Sequence, residues 1–422
     1  MPPSPVPTVP DREGAPTAAL RLPDFRRYQL ARLLSIVGFH MQSVAVGWQL
    51  YSTTGRALDL GLVGLAQFLP FTLCVLPAGQ AADRFDRKLL LTASYLLHAV
   101  LSAALVLATL YRLPLWSLYA ILGGVGAARA LGAPAASALT PHLVPAAVLP
   151  NAIAWTSTTR QIGVLTGPAL GGLLYGAVQK AWPVYLVAAL SSALAAALAL
   201  RMHVRPGRME PRAVSLRTVL AGFEYVWRKR LLLGTFSLDL FAVLLGGATA
   251  LLPIYAKDIL HVGPLGLGLL RSAPAVGAGV TAVLLAHHPL ERRAGKKMLG
   301  CVFLFGVATV VFGLSRSFAL SLLALALLGA TDMVSVVVRL TLEQLATPPE
   351  MRGRVSAVNM MFIGASNELG DFESGLVAAW IGAVPAVVLG GVGTCLVVVV
   401  WSRLFPEMRD VDELRSAHAI RG

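Results

Sequence analysis

Apolar residues in this chain come in runs of about 20, set apart by short polar turns, and the runs continue almost from end to end. A helix of about 20 residues rises about 30 Å, the thickness of a hydrocarbon layer, so each run predicts a membrane-crossing helix. A transmembrane barrel would alternate apolar and polar positions instead. Six spans are expected over 28–50, 58–81, 89–110, 115–138, 152–178 and 184–200, and six more over 231–255, 265–286, 298–314, 319–340, 355–381 and 384–401.

The two sets of six are divided by residues 201–230, which hold eight basic side chains against Glu210 and Glu224. Within this linker Leu216, Val219, Leu220, Phe223, Val226 and Trp227 recur at helical spacing. They predict an amphipathic helix along the membrane face, or an ordinary linker helix. The organisation expected is a tail over 1–22, helical bundles over 23–200 and 231–405, the linker between them, and a tail over 406–422. The opening residues are proline-rich and polar, with no apolar core of a cleavable signal, and the first span is expected to direct insertion.

Composition agrees: of 422 residues, 56% are hydrophobic and 13% charged, far more apolar than a soluble core requires. Mean hydropathy is +0.71. A net charge of +14 raises the question of a nucleic-acid partner. Placement answers it. With both termini inside, inward segments hold 25 of the 35 Lys and Arg, and outward loops hold only Arg56, Arg112, Lys180, Lys257 and Arg316. The basicity follows the positive-inside rule, so nucleic acid is not expected as a partner. Cys74, Cys301 and Cys395 sit in different spans without paired or metal-like spacing, and buried free thiols are expected.

The turn between spans 2 and 3 reads GQAADRFDRK, from Gly79 to Lys88. It fits the pattern G-x-x-x-D-R-x-G-R-[RK], with Asp86 at the second glycine, and here the chain resembles the major facilitator superfamily. The resemblance implies an all-α membrane protein of 12 transmembrane helices in two six-helix bundles, with cytoplasmic termini. It also implies a gating latch in which Asp83, Arg84 and Arg87 contact the facing half in one state and release it in the other. Asp86 leaves the local turn in question, because glycine is more permissive. A degenerate copy, HHPLERRAGKK, follows the eighth span with Glu291 near the place of Asp83, as an internal repeat would give.

Span 5 carries GVLTGPALGG, where Gly163, Gly167 and Gly171 form one flat face and Pro168 removes a backbone donor. The string resembles the antiporter motif of the superfamily, and tight helix packing is the alternative reading. Arg129 in span 4 resembles the family's fourth-helix arginine, which is tied to proton transfer. The strings PALGGLL and PPEMRGRVSAVNMMF look most like the enterobactin-exporter-like branch, and the resemblance covers residues 24–405.

Ionisable groups inside a bilayer cost several kcal/mol each, so their placement is informative. Spans 6, 9 and 12 hold no Asp, Glu, Lys or Arg, while Arg129, Arg160, Asp239, Arg271, Asp332 and Arg339 lie on spans 4, 5, 7, 8 and 10. Span 11 carries Glu368, Asp371 and Glu373. Glu368 and Asp371, three residues apart, share a helical face, whereas Glu373 points elsewhere. Two adjacent carboxylates in a poorly hydrated site resist joint ionisation, which suits a proton or cation site. Static pairs with arginine are the alternative. Gly370 and Gly375 would allow a break in this span. Arg339 and Glu343, four apart, suggest a local surface pair, and His40 and Gln42 either touch cargo or join helices.

The expected function is secondary active transport, a proton-coupled exporter of a small amphipathic molecule, drug or siderophore across a bacterial inner membrane. Nutrient import on the same fold and a membrane-embedded sensor are the alternatives. An enzyme is not expected, because no nucleotide-binding GxxxxGK[ST] loop, cofactor motif or metal-ligand spacing is present. The partners expected are a small-molecule substrate, protons and membrane lipid, on a monomer.

Overall fold

The computed structural model describes residues 17–204, 216–288, 290 and 293–412, with no description of the side chains of 76, 82, 83, 216–219 and 349. The first bundle comprises α1 (Pro23–Thr54), α2 (Ala57–Arg84), α3 (Arg87–Leu110), α4 (Leu115–Leu143), α5 (Leu149–Val178) and α6 (Trp182–Leu200). The linker helix is α7 (Leu216–Arg228). The second bundle comprises α8 (Arg230–Leu245), the single turn α9 (Leu252–Ile254), α10 (Gly263–His287), α11 (Ala294–Leu314), α12 (Phe318–Ala346), α13 (Pro349–Ile381) and α14 (Ala383–Leu404), followed by α15 (Pro406–Arg409). No strand occurs among the described residues.

Local chemistry sets the helix ends. Pro23 opens α1 at a position where its missing donor costs nothing, and Gly55 closes it at φ 64°, returning its N–H to the Tyr51 carbonyl. Asp86 settles the question of its missing glycine. Its φ is −58°, which any residue adopts, and its carboxylate accepts the Lys88 N–H at 2.7 Å, so it caps α3.

Among the described residues, eleven helical segments are long and apolar enough to cross a membrane. A twelfth long helix, α13, is 33 residues long and carries the acid cluster, with Glu350, Arg352 and Arg354 near its start. Arg56, Arg112, Lys180, Lys257 and Arg316, expected in outward loops, all lie at the end of the bundle remote from α7 and α15. We call this end distal and the opposite one terminal.

Each half repeats one packing scheme. In the first, α1 packs on α5 and α6, α2 on α4, and α3 on α4 and α6; in the second, α8 packs on α13 and α14, α10 on α12, and α11 on α12 and α14. The halves then meet reciprocally, through α2 against α13 and α5 against α10. An internal repeat with a pseudo-two-fold axis predicts this exchange.

Three expectations are corrected. The break falls in span 7 rather than span 11: α8 ends at Gly246, Ala248–Leu251 forms a 3-10 turn, and α13 runs through Gly370 and Gly375 unbroken. The α13 glycines serve close approach, since a Cβ on Gly370 would stand 3.0 Å from the Leu244 carbonyl, and one on Gly375 2.6 Å from Gly61 Cα. Arg339 and Glu343 are no surface pair, being 2% and 1% exposed. The three cysteines are free but only half-buried.

The linker helix docks on α13. Val226 is buried against Leu232, Phe236, Val355 and Val358, and the Tyr225 hydroxyl donates to the Ala346 carbonyl at 3.1 Å. Leu220, Phe223 and Trp227 stay exposed, with the Phe223 ring stacked on Trp227 and 6.1 Å from Phe362 of α13.

Candidate functional site

Glycines on both sides let the halves touch backbone to backbone near the distal end. A Cβ on Gly172 of α5 would lie 2.9 Å from Gly268 Cα of α10, and Gly61 of α2 meets Gly375 of α13 equally closely. Stripes of small residues bring helices this near wherever no side chain intervenes. The Tyr51 hydroxyl of α1 also bonds Asp258 of the second half, and Lys257 Nζ lies 5.3 Å above the Tyr51 ring. The distal side is therefore sealed.

Below the seal a cavity of about 250 Å³ lies between the halves, lined by α1, α2, α4 and α5 from one and by α10, α13 and the Thr249–Pro253 segment from the other. Its charged wall joins Arg129, Arg271, Glu368 and Asp371, with His40 beside them. Side chains from four helices distant in sequence thus meet in one cavity. Arg129 Nη1 donates to Glu368 Oε1 at 3.1 Å across the interface. The same guanidinium stands 4.8 Å from the Phe39 ring and 5.6 Å from the Phe71 ring, so two aromatic faces hold it. Arg271 Nη1 crosses in the opposite sense to Ser43 Oγ at 2.6 Å, and Asp371 accepts from Thr249 Oγ1 at 3.2 Å. The site can balance charge, take up protons and present hydrogen-bonding groups to a solute.

Other candidate residues lie apart. Glu373 turns away, beside the Ser374 hydroxyl at 3.5 Å, and Arg160 is exposed on α5 outside the cavity lining. Asp239 and Asp332 border a small separate void inside the second half. Asp239 pairs there with Arg339, and Glu343 accepts from the Ser356 hydroxyl and from Asn359 Nδ2, the latter at 2.7 Å. Gln42 joins helices, accepting from Ser102 Oγ at 2.6 Å.

The glycine face of span 5 packs on α1. Cβ atoms on Gly163, Gly167 and Gly171 would reach Ile36, His40 and Met41 within 2.5, 2.6 and 2.7 Å, while Pro168 lines the cavity. In the turn between α2 and α3, a Cβ on Gly79 would meet nothing within 4 Å, and Arg84 is exposed. Arg87 bonds His142 Nε2 at 2.5 Å inside the first half, and Lys88 gives its N–H to Asp86. The Asp83 side chain and Glu291 lie outside the described residues.

Sequence reasoning did not single out Phe39, Phe71, Ser43 or Thr249. A phenylalanine in an apolar span carries no signal of an arginine on another helix, and Thr249 becomes available only because span 7 unwinds.

Residues 14–421 match the transmembrane secretion effector family. The enterobactin exporter EntS of Citrobacter koseri is 30% identical over 388 residues, covering 89% of this chain and 86% of that protein. Its Escherichia coli O81 counterpart is 29% identical over the same coverage. Among solved structures, a bacterial homologue of the human lysosomal transporter Spinster, inward-facing and unoccupied, aligns with TM-score 0.73 at 14% identity over 92% of this chain and 98% of that one. The nucleoside transporter NupG aligns with TM-score 0.71 at 13% identity, covering 90% and 99%. A D-xylose-proton symporter gives 0.66 at 13%, covering 91% and 98%.

Proposed function

The chain belongs to the transmembrane secretion effector family, within the major facilitator superfamily, and we propose that it is a proton-coupled antiporter exporting a small amphipathic molecule. The observation that supports this most is the cavity shared by both halves, which gathers two carboxylates and two guanidiniums under a distal seal and at mid-depth along their helices. Charges in that position are costly unless water, protons or cargo reach them. Alternating access follows if the reciprocal contacts of α2 with α13 and α5 with α10 part on the distal side as the terminal side closes. Protons and cargo must bind the two facing states unequally, because a ligand with equal affinity for both shifts nothing. The loop from Gly79 to Lys88 is then the latch of the other state; in this one Arg84 is exposed and Arg87 bonds His142 within the first half.

Enterobactin, the cargo named for the EntS relatives, is the first compound to assay, followed by other siderophores and amphipathic drugs. In proteoliposomes with an imposed pH gradient, efflux that accelerates when the compartment receiving the cargo is made acidic supports the reading. Transport that ignores the gradient, or runs faster with it reversed, rejects antiport.

A further inference from the structure

The two cavity carboxylates share a helical face but not an environment. Glu368 is tied to Arg129 at 3.1 Å, and that guanidinium is boxed in by Phe39 and Phe71. Asp371 takes part in no ion pair of the described residues; its bond is to the neutral Thr249 hydroxyl. Arg271, the other cavity guanidinium, is turned to Ser43. Around Asp371 the titratable or charged side chains are Glu368 on α13, Arg129 on α4, Arg271 on α10 and His40 on α1. The α2 residues that line the cavity, Leu60, Val63, Gly64 and Gln67, carry no charge.

Asp371 also sits where the distal seal closes. A Cβ on Gly64 would stand 3.1 Å from Asp371 Cβ, and one on Gly61 3.3 Å from the Asp371 carbonyl oxygen. Its partner Thr249 lies on the unwound turn after α8, and Gly247 of that turn approaches the Gly370 carbonyl. Asp371 therefore borders the seal with its Cβ and main chain, while its carboxylate faces the cavity and bonds the break in span 7. An unpaired negative charge this close to the α2 seam, where the helix amides are already bonded within their own helix, carries a desolvation cost that a neutral carboxyl escapes.

Building on the exporter reading, we propose that Asp371 is the exchangeable carboxylate, and that the distal side seals only when Asp371 is neutralised by a proton or by a cation or hydrogen-bond donor on the cargo. Glu368 remains the fixed tie between the halves. An empty, charged Asp371 disfavours the sealed state, so resealing the distal side waits for a proton or a cargo donor to occupy the carboxylate. The cargo class that fits carries an ammonium, guanidinium or strong hydroxyl donor.

A readout that needs no cargo tests this. Spin labels at Tyr111→Cys and Arg316→Cys, on a background lacking Cys74, Cys301 and Cys395, report the width of the distal mouth in lipid nanodiscs. Between about pH 5 and about pH 8 the sealed population of the otherwise native chain should fall at least about threefold. Asp371→Asn should lose that response and remain sealed, Asp371→Glu should restore it with a shifted midpoint, and Glu368→Gln should keep it. If Asp371→Asn fails to fold, Thr249→Val serves instead: removing the donor to the carboxylate should move the midpoint to higher pH. A normal response in Asp371→Asn, its loss in Glu368→Gln, or an unmoved midpoint in Thr249→Val overturns the proposal. A chain that shows the expected responses but moves no cargo keeps this inference and removes the exporter reading. Proton-driven export that survives intact in Asp371→Asn does the reverse.

Discussion

Arg129 on α4 donates to Glu368 on α13 at 3.1 Å, joining the two halves at the level of the cavity. Removing either partner leaves the other facing the cavity without its counter-charge. Arg129→Ala should slow cargo efflux from proteoliposomes by roughly tenfold or more. The double replacement Arg129→Ala with Glu368→Ala should lose less than the singles combined, with a coupling of about 0.5–3 kcal/mol in a thermal-unfolding cycle. Additive effects would mean that the contact carries no weight.

The buried pair of Asp239 and Arg339 should behave differently. Their side chains are 8% and 3% exposed, so Asp239→Ala strands a guanidinium in the core and should destabilise the protein by about 3–5 kcal/mol. Asp239→Leu combined with Arg339→Met should recover much of that loss, as replaced buried pairs often do. Unfolding in detergent measures the stability, and efflux under a pH gradient should survive the double replacement, because neither residue lines the cavity.

Gly172 and Gly176 make a matched comparison along α5. A methyl at Gly172 would stand 2.5 Å from the Pro264 carbonyl and 2.9 Å from Gly268 Cα, whereas one at Gly176 comes no nearer than 3.7 Å. Gly172→Ala should disfavour the sealed state by about 1–3 kcal/mol and raise reagent access to a distal cysteine. Gly176→Ala should leave access unchanged.

Asp86 should act as a helix cap. Asp86→Ala should cost about 1 kcal/mol of stability through the lost bond to the Lys88 N–H, and Asp86→Gly only a few tenths. Equal losses in the two variants would place the role of the carboxylate elsewhere.

Much of this architecture could be read from the residues, and the failures share a cause. Long apolar runs fix where helices begin and end, so 115–138 and 184–200 fall inside α4 and α6, and 89–110 inside α3. Spacing likewise put Gly163, Gly167 and Gly171 on one face, the face on which α1 packs. What spacing leaves open is the neighbour that a face meets. Arg339 and Glu343 stand at a spacing that suits a surface pair, yet α8 brings Asp239 to one and α13 brings Ser356 and Asn359 to the other. Gly370 and Gly247 are equally able to interrupt a helix, and the chain broke at Gly247, where the segment passes over the Gly370 carbonyl. Both outcomes were decided by tertiary contact, which no single segment encodes.

The seams at Gly61 with Gly375 and at Gly172 with Gly268 work like a bearing with no teeth. Bare main chain faces bare main chain, so parting the halves there would disturb few rotamers and need no interlocking residues to be rebuilt. The cavity wall can therefore change for new cargo while the joint stays as it is, and a lineage of such transporters can diversify in what it carries without remaking the seam between its halves.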